Sequence, residues 1–362
     1  MNTAPEKTSE TWRQMRVSLP GATQIRSFLG CGAMMAWSED RWIIAWGKPG
    51  RAARPDADRP SFYAPDFFLR DKKPWRIYGE AAVVTPDSLA QLLAPRESAR
   101  CWKPFDETAF ASAFAKVMEE FRAGSLQKAV PAVFETSRGA LTAAERERAL
   151  RNAANLPAGL MPYGFWDRDG GAIGASPELL FEDDGVEIHT VAVAGTARSG
   201  ARPEDMMDDP KERNEHRLVL DDVAARLATL GRVTAGATRL WRIGILSHLR
   251  TDLRVAPRGK AEFAALISRL HPTPAVGIAP RGDWRKSISG IDGAPRGCFG
   301  APFGLALPGG RSRCLVAIRG VQWDREATRC GAGCGIVPGS ELPRELAELR
   351  LKLSATRDNL GL

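Results

Sequence analysis

Residues 163–200 read "YGFWDRDGGAIGASPELLFEDDGVEIHTVAVAGTARSG". The stretch reads as consecutive strands joined by tight turns, with no helical period inside it. Around it the texture alternates without strict βαβ order. Upstream, "DETAFASAFAKVMEEFRAG" (106–124) repeats apolar residues at helical spacing and ends at Gly124, a C-terminal cap. "LQKAVPAVFETS" (126–137) has strand character, and "TAAERERALRNAANL" (142–156) is helical again. Downstream, "DDPKERNEHRLVLDDVAARLATLG" (208–231) predicts a long helix, with Asp208 or Asp209 as cap, Pro210 in the first turn and Gly231 as stop. "RLWRIGILSHLRTDLRV" (239–255), "CFGAPFGLAL" (298–307) and "RCLVAIRGVQW" (313–323) look like strands, separated by the helix "KAEFAALISRL" (260–270) and the turn "HPTPAVG" (271–277). Many strands and several helices in this order argue for an α+β, layered sheet-and-helix architecture rather than a doubly wound sheet.

The flanks carry less chemistry. Residues 1–105 are rich in Trp, Pro and Arg, with short strand-like runs "RWIIAWG" (41–47) and "RIYGEAAVV" (76–84) around a polar, Pro-rich loop at 48–66. The first residues, "MNTAPEKTSETWRQ", lack the apolar segment of a secretory signal. No apolar run approaches the ~20 residues that span a bilayer, so no membrane partner is expected and the chain is expected in the cytoplasm. The 362 residues are 44% apolar and 26% charged, the balance of a folded globular protein. Six cysteines form no CxxC pair, which points to reduced thiols; Cys330 and Cys334 have no partner pair to make a zinc site.

The net charge of +8, from 51 basic and 43 acidic residues, favours anionic partners. Yet the arginines are interleaved with acids, as in "RAARPDADR" and "AAERERALR", and no basic stripe alternates with aromatics. A small dianionic substrate explains the sign as well as nucleic acid does, and a basic nucleic-acid-binding protein on an inactivated scaffold is the distant alternative.

Acidic side chains recur on two helices. Glu212 and Glu215 are three apart; Glu345, Glu348 and Lys352 form one stripe at i, i+3, i+7 after Pro343. Taken alone, each has an ordinary explanation in helix-dipole compensation and surface ion pairing. Together, four carboxylates from two helices could surround one hard cation.

With these residues the chain resembles the chorismate-utilising enzymes, the family of isochorismate, salicylate, anthranilate and aminodeoxychorismate synthases. The resemblance covers about 106–362 and rests on ordered blocks: "LQKAV" (126–130), "SPELLF" (176–181), "AGTARSG" (194–200), "DPKERNEH" (209–216), "LHPTPAVG" (270–277), "VAIR" (316–319) and "GAGCGIVPGS" (331–340) followed by Glu345, Glu348 and Lys352. It implies the anthranilate synthase-type fold, two stacked antiparallel sheets flanked by helices. Residues 1–105 would contribute strands to that unit, and 106–362 would form the chorismate-binding catalytic region.

The resemblance also implies roles. Glu215 and Glu345 would bind Mg2+ directly, and Glu212 and Glu348 would hold its waters. Lys352, with backbone N–H groups at Gly333 and Gly335, would meet the ring carboxylate of chorismate. Gly195 and Thr196 would lie over the ring, and His248 and Phe299 would line the pocket. Arg319 would grip the enolpyruvyl carboxylate with its planar fork. Glu178 falls on the general acid, and Lys128 on the position where water-using members carry a lysine base.

Ammonia-using members place glutamine where Lys128 stands, and aminodeoxychorismate synthases carry a nucleophilic lysine where Ala194 stands. Water is therefore the expected nucleophile, and isochorismate the expected product, for siderophore, salicylate or menaquinone synthesis. Salicylate synthase, which also eliminates pyruvate, is the alternative; Phe299 leans away from it. A monomer without a glutaminase subunit is expected. "FGLAL" in place of a customary Gly-Trp, and Cys334 in place of alanine, depart from the family pattern.

Overall fold

The computed structural model describes residues 18–97, 100–198 and 206–362. The polar start of the chain, and Ser199 and Gly200 at the end of the "AGTARSG" block, lie outside the described residues. Two antiparallel sheets dominate, one of eight strands and one of ten among the described residues, with a separate two-stranded pairing of Lys128–Ala129 and Ile278–Ala279.

Period-2 alternation on buried strands explains the layering. Gly32–Ala36 and Trp42–Trp46 are buried at every position, as strands covered on both faces must be. Ala33, Met35, Ile43 and Ala45 of the eight-stranded sheet meet Phe62, Phe303, Leu305 and Leu315 of the ten-stranded sheet, forming the inner layer. Their neighbours Met34 and Ile44 face the other way, into the cluster that holds Phe28 and Leu150 from the covering helices. Residues 32–84 supply strands to both sheets.

Two long helices matter for the site. Pro210–Ala228 packs on the strands Ile188–Arg198 and Leu246–Pro257 of the larger sheet, and Leu342–Leu360 packs on Ala327–Gly333 of the smaller. The register of the first strand pair shifts between Ala194 and Ala197, and inside the shift Gly195 takes φ +72°. The irregularity turns the backbone at Gly195 and Thr196 out of the ladder beside His248.

Two expectations need correction. Gly231 does not stop the long helix, which ends at Ala228; Gly231 opens the strand Gly231–Ala235 instead, where a Cβ would lie 1.9 Å from the Ala256 carbonyl oxygen. Close strand contact, not helix capping, calls for glycine there. Nor is 48–66 only a loop: it contains the strands Gly50–Ala52 and Ser61–Tyr63, which pair with Trp75–Ile77. No helix of the described residues is long and apolar enough to cross a membrane.

Candidate active site

The helix Pro210–Ala228 begins where the sequence demands. Asp209 accepts hydrogen bonds from the backbone N–H of Lys211 (2.8 Å) and Glu212 (3.3 Å), and Pro210 needs no donor of its own. That start points Glu212 and Glu215 inward, and both are buried. Glu345 in the first turn of Leu342–Leu360 is 1% exposed. The two helices converge on one cation, the Lys211 ammonium, which lies 3.3 Å from Glu212 Oε1, 3.5 Å from Glu215 Oε2 and 3.2 Å from Glu345 Oε1. The last contact is out of line for a hydrogen bond, and both buried oxygens of Glu345 lack a hydrogen-bond partner.

Glu348 is held apart by Lys352, whose Nζ donates to it at 2.5 Å and to the Gly333 carbonyl at 2.9 Å. Among the described residues no three acidic, thiol or imidazole side chains stand close enough to form a ready-made metal cage. The donor set nevertheless suits a hard cation: carboxylate oxygens only, two of them without hydrogen-bond partners.

Charges divide the glutamates. Burial pushes Glu215 up, but the ammonium groups of Lys128 and Lys211 outweigh it and hold its carboxyl at about 2. Lys128, with no exposed surface, donates to Glu215 Oε1 at 2.9 Å. Burial, with Glu215 beside it, raises Glu212 to about 7. Burial also raises Glu345, against Lys211.

Beside this cluster lies a small, partly enclosed cavity. Its walls bring together Glu178, Gly195, Thr196, Glu215, His248, Phe299, Arg319, Gly333, Gly335 and Lys352. Lys128 does not line it and stands behind Glu215. Glu212, Glu345 and Glu348 line an adjoining cleft that shares Thr196 with the cavity.

Glu178 owes its inward direction to "SPELL". Pro177 interrupts the strand, and the Ser176 hydroxyl donates to Val316 O (2.6 Å) while accepting from Glu178 N–H (3.1 Å). Burial raises Glu178 to about 7, although Lys128 and a 3.3 Å hydrogen bond from Thr273 pull it down. At the other wall His248 donates Nδ1–H to the Gly195 carbonyl (2.8 Å), which leaves Nε2 to accept from Arg319 Nη2 (3.3 Å). Burial, with Arg319 adding to it, lowers His248 to about 3, so the ring is neutral. Arg319 itself holds φ +55°, a conformation costly for a side chain with a Cβ and concentrated at functional sites.

Gly335 is fixed by space: a Cβ there would lie 1.9 Å from Glu215 Oε1 and 3.0 Å from Lys128 Cε. Gly335→Ala should therefore destabilise the fold by about 1–3 kcal/mol, the usual cost of overpacking. Chemical denaturation checks this, and a change within about 0.5 kcal/mol would mean that the Glu215 carboxylate moves aside freely.

Three residues without a role in the sequence reading join the site. Lys211 sits in the "DPKERNEH" block, four residues before Glu215, a spacing that could have marked the pair. Thr273, in "LHPTPAVG", bonds Glu178. Arg296 is 1% exposed and donates to Val130 O and Val276 O, both at 2.6 Å, so one guanidinium ties together two segments of the cavity wall. Asp292, four residues earlier in "DGAPRGCFG" and 2.6 Å from Arg296, is the spacing signal that could have marked it.

Comparison with known proteins gives the family and the fold. The family described as chorismate binding enzyme matches residues 80–361. A salicylate biosynthesis isochorismate synthase of Pseudomonas aeruginosa is 36% identical over 198 residues, 52% of this chain and 42% of that protein. The isochorismate synthase MenF of Bacillus subtilis is 31% identical over 198 residues, with the same shares covered. The chain thus spans under half the length of these two relatives. Among solved structures, the menaquinone-specific isochorismate synthase MenF of Escherichia coli superposes with TM-score 0.77 at 19% identity, over 95% of this chain and 92% of that one. Anthranilate synthase component I of Streptococcus pneumoniae gives 0.69 at 16% identity, over 98% and 100%. At those identities the structural likeness is one of fold, and it is the expected one of stacked antiparallel sheets with helices outside. With the family match running over most of its length, this chain is a member of the chorismate binding enzyme family.

Proposed function

We propose that the protein is an isochorismate synthase: it adds water at C2 of chorismate while the C4 hydroxyl leaves. The observation that supports this most is the pairing of opposite tasks across one buried site. Glu178, raised to about 7, can hold a proton for a leaving oxygen, and a lysine rather than a neutral side chain is buried behind Glu215. We assign residues 1–105 to the same catalytic unit, on the strength of the strands that 32–84 give to both sheets.

In this reading Arg319, oriented by neutral His248, binds the enolpyruvyl carboxylate, while Lys352 and the backbone at Gly333 and Gly335 meet the ring carboxylate. Phe299 and Val276 exclude bulk water from one wall. Lys128, in its neutral amine form, takes up the proton of the water that bonds to C2, relayed by the Glu215 carboxylate that stands between it and the cavity. The ring double bonds shift, and the C4 oxygen departs as water with the proton of Glu178. Glu215, Glu345, Glu212 and Glu348 would hold Mg2+, which supplies charge neutralisation and orientation of the ring carboxylate when bound.

Incubation with chorismate and MgCl2 should give isochorismate, with neither pyruvate release nor salicylate fluorescence. EDTA should reduce turnover to background, and added Mg2+ should restore it. Salicylate with pyruvate would make the protein a salicylate synthase, and turnover unaffected by EDTA would remove the metal from the scheme.

A further inference from the structure

The carboxylate cluster already contains a cation, and it belongs to the chain. Lys211 Nζ lies within 3.5 Å of oxygens from three glutamates on two helices: Glu212, Glu215 and Glu345. A magnesium ion would need the same space, because its oxygen ligands must approach to about 2 Å. Four glutamates here face the ammonium groups of Lys128, Lys211 and Lys352, with Arg344 3.8 Å from Glu212. A divalent ion added with Lys211 in place would overfill the cluster with positive charge.

Resting on the metal-binding reading above, we infer that Lys211 is the resident cation of the metal-free site, and that a divalent ion binds by displacing its ammonium. Two features make the exchange feasible. Lys211 stands in the first turn of its helix and lines the open cleft that also borders Arg344 and Glu348, so its four-carbon stem can swing outward without backbone movement. Meanwhile the Glu345 carboxylate, 1% exposed as a residue, has the Lys211 ammonium 3.2 Å from Oε1, so that oxygen becomes available to ligate once the lysine swings away. Lys211 therefore sets the affinity: it stabilises the empty site by the same contacts that the ion must break.

The test is calorimetric titration of the full chain with MgCl2 and with MnCl2 for wild type, Lys211→Met and Lys211→Arg, alongside thermal unfolding in EDTA and in Mg2+. Lys211→Met should bind either ion at least tenfold more tightly, melt earlier than wild type in EDTA, and gain more from Mg2+. Lys211→Arg, which keeps the charge, should stay within about threefold of wild type. If Lys211→Met binds the ions equally or more weakly while wild type binds them, the displacement idea is overturned and the metal site survives. If neither wild type nor Lys211→Met binds a divalent ion, the metal reading itself fails. Should Lys211→Met unfold without metal, the Mg2+-dependent rise in its melting temperature, compared with that of Lys211→Arg, carries the same decision.

Discussion

Lys128→Ala should lower kcat for the proposed isochorismate formation by about 10²–10⁴-fold, the range for loss of a general base, while Mg2+-dependent binding of chorismate should persist. Lys128 lies behind Glu215 rather than in the cavity wall, so its removal takes away no direct substrate contact. It does take away the 2.9 Å donor to Glu215 Oε1. Breaking a buried ion pair on one side costs roughly 3–5 kcal/mol when the remaining charge is left alone. Here Lys211, 3.5 Å from the other Glu215 oxygen, stays as a partner, so the loss should fall at or below the lower end. Binding of chorismate, measured separately from turnover, settles the role. A variant that turns over normally but has lost its affinity would make Lys128 a substrate anchor and leave the proton of the attacking water without an acceptor.

Periodicity made the acidic cluster legible. Glu212 with Glu215, and Glu345 with Glu348, fall on single helix faces by spacing alone, and both helices form with the acids turned inward. Meeting of the two helices was not legible from spacing, because it depends on a sheet-and-helix packing between segments more than 120 residues apart; the ordered family blocks supplied it. The same distance hid Lys211, whose role exists only where both helices meet. Arg296 was only half legible: its pairing with Asp292 follows from a spacing of four, but Val130 O and Val276 O are backbone atoms of remote segments that carry no side-chain signature. Arg319 shows another limit. "RCLVAIRGVQW" reads as one continuous strand, yet the chain breaks between Ser312–Val316 and Gly320–Trp323, with Arg319 at φ +55°. The helix Trp284–Ile291 went unread as well, since Trp284 and Ile288 are its only buried anchors.

Glu178→Gln is the second large effect, and its pH dependence makes it specific. Burial raises this carboxyl to about 7 in the folded protein, against 4.5 for the unperturbed group. As an acid Glu178 must carry its proton, so kcat/KM of the wild type should fall as pH rises through about 7. The glutamine variant cannot donate: its kcat should drop by about 10²–10⁴-fold, and that alkaline limb should vanish from what activity remains. Stability of the wild type should fall over the same pH range. Because the folded pKa is raised, the neutral carboxyl's contribution is complete below pH 4.5 and is lost as pH climbs from 4.5 through about 7. At about 1.4 kcal/mol per pH unit this amounts to roughly 3–4 kcal/mol, and an amide that never ionises escapes it. Unfolding free energies of the two proteins at pH 5 and pH 8 should therefore show the variant gaining on the wild type at the higher pH. A variant with unchanged turnover would remove Glu178 as the acid. One with reduced turnover and an unchanged pH profile would mean that Glu178 positions the substrate, and that another group supplies the proton to the departing C4 oxygen.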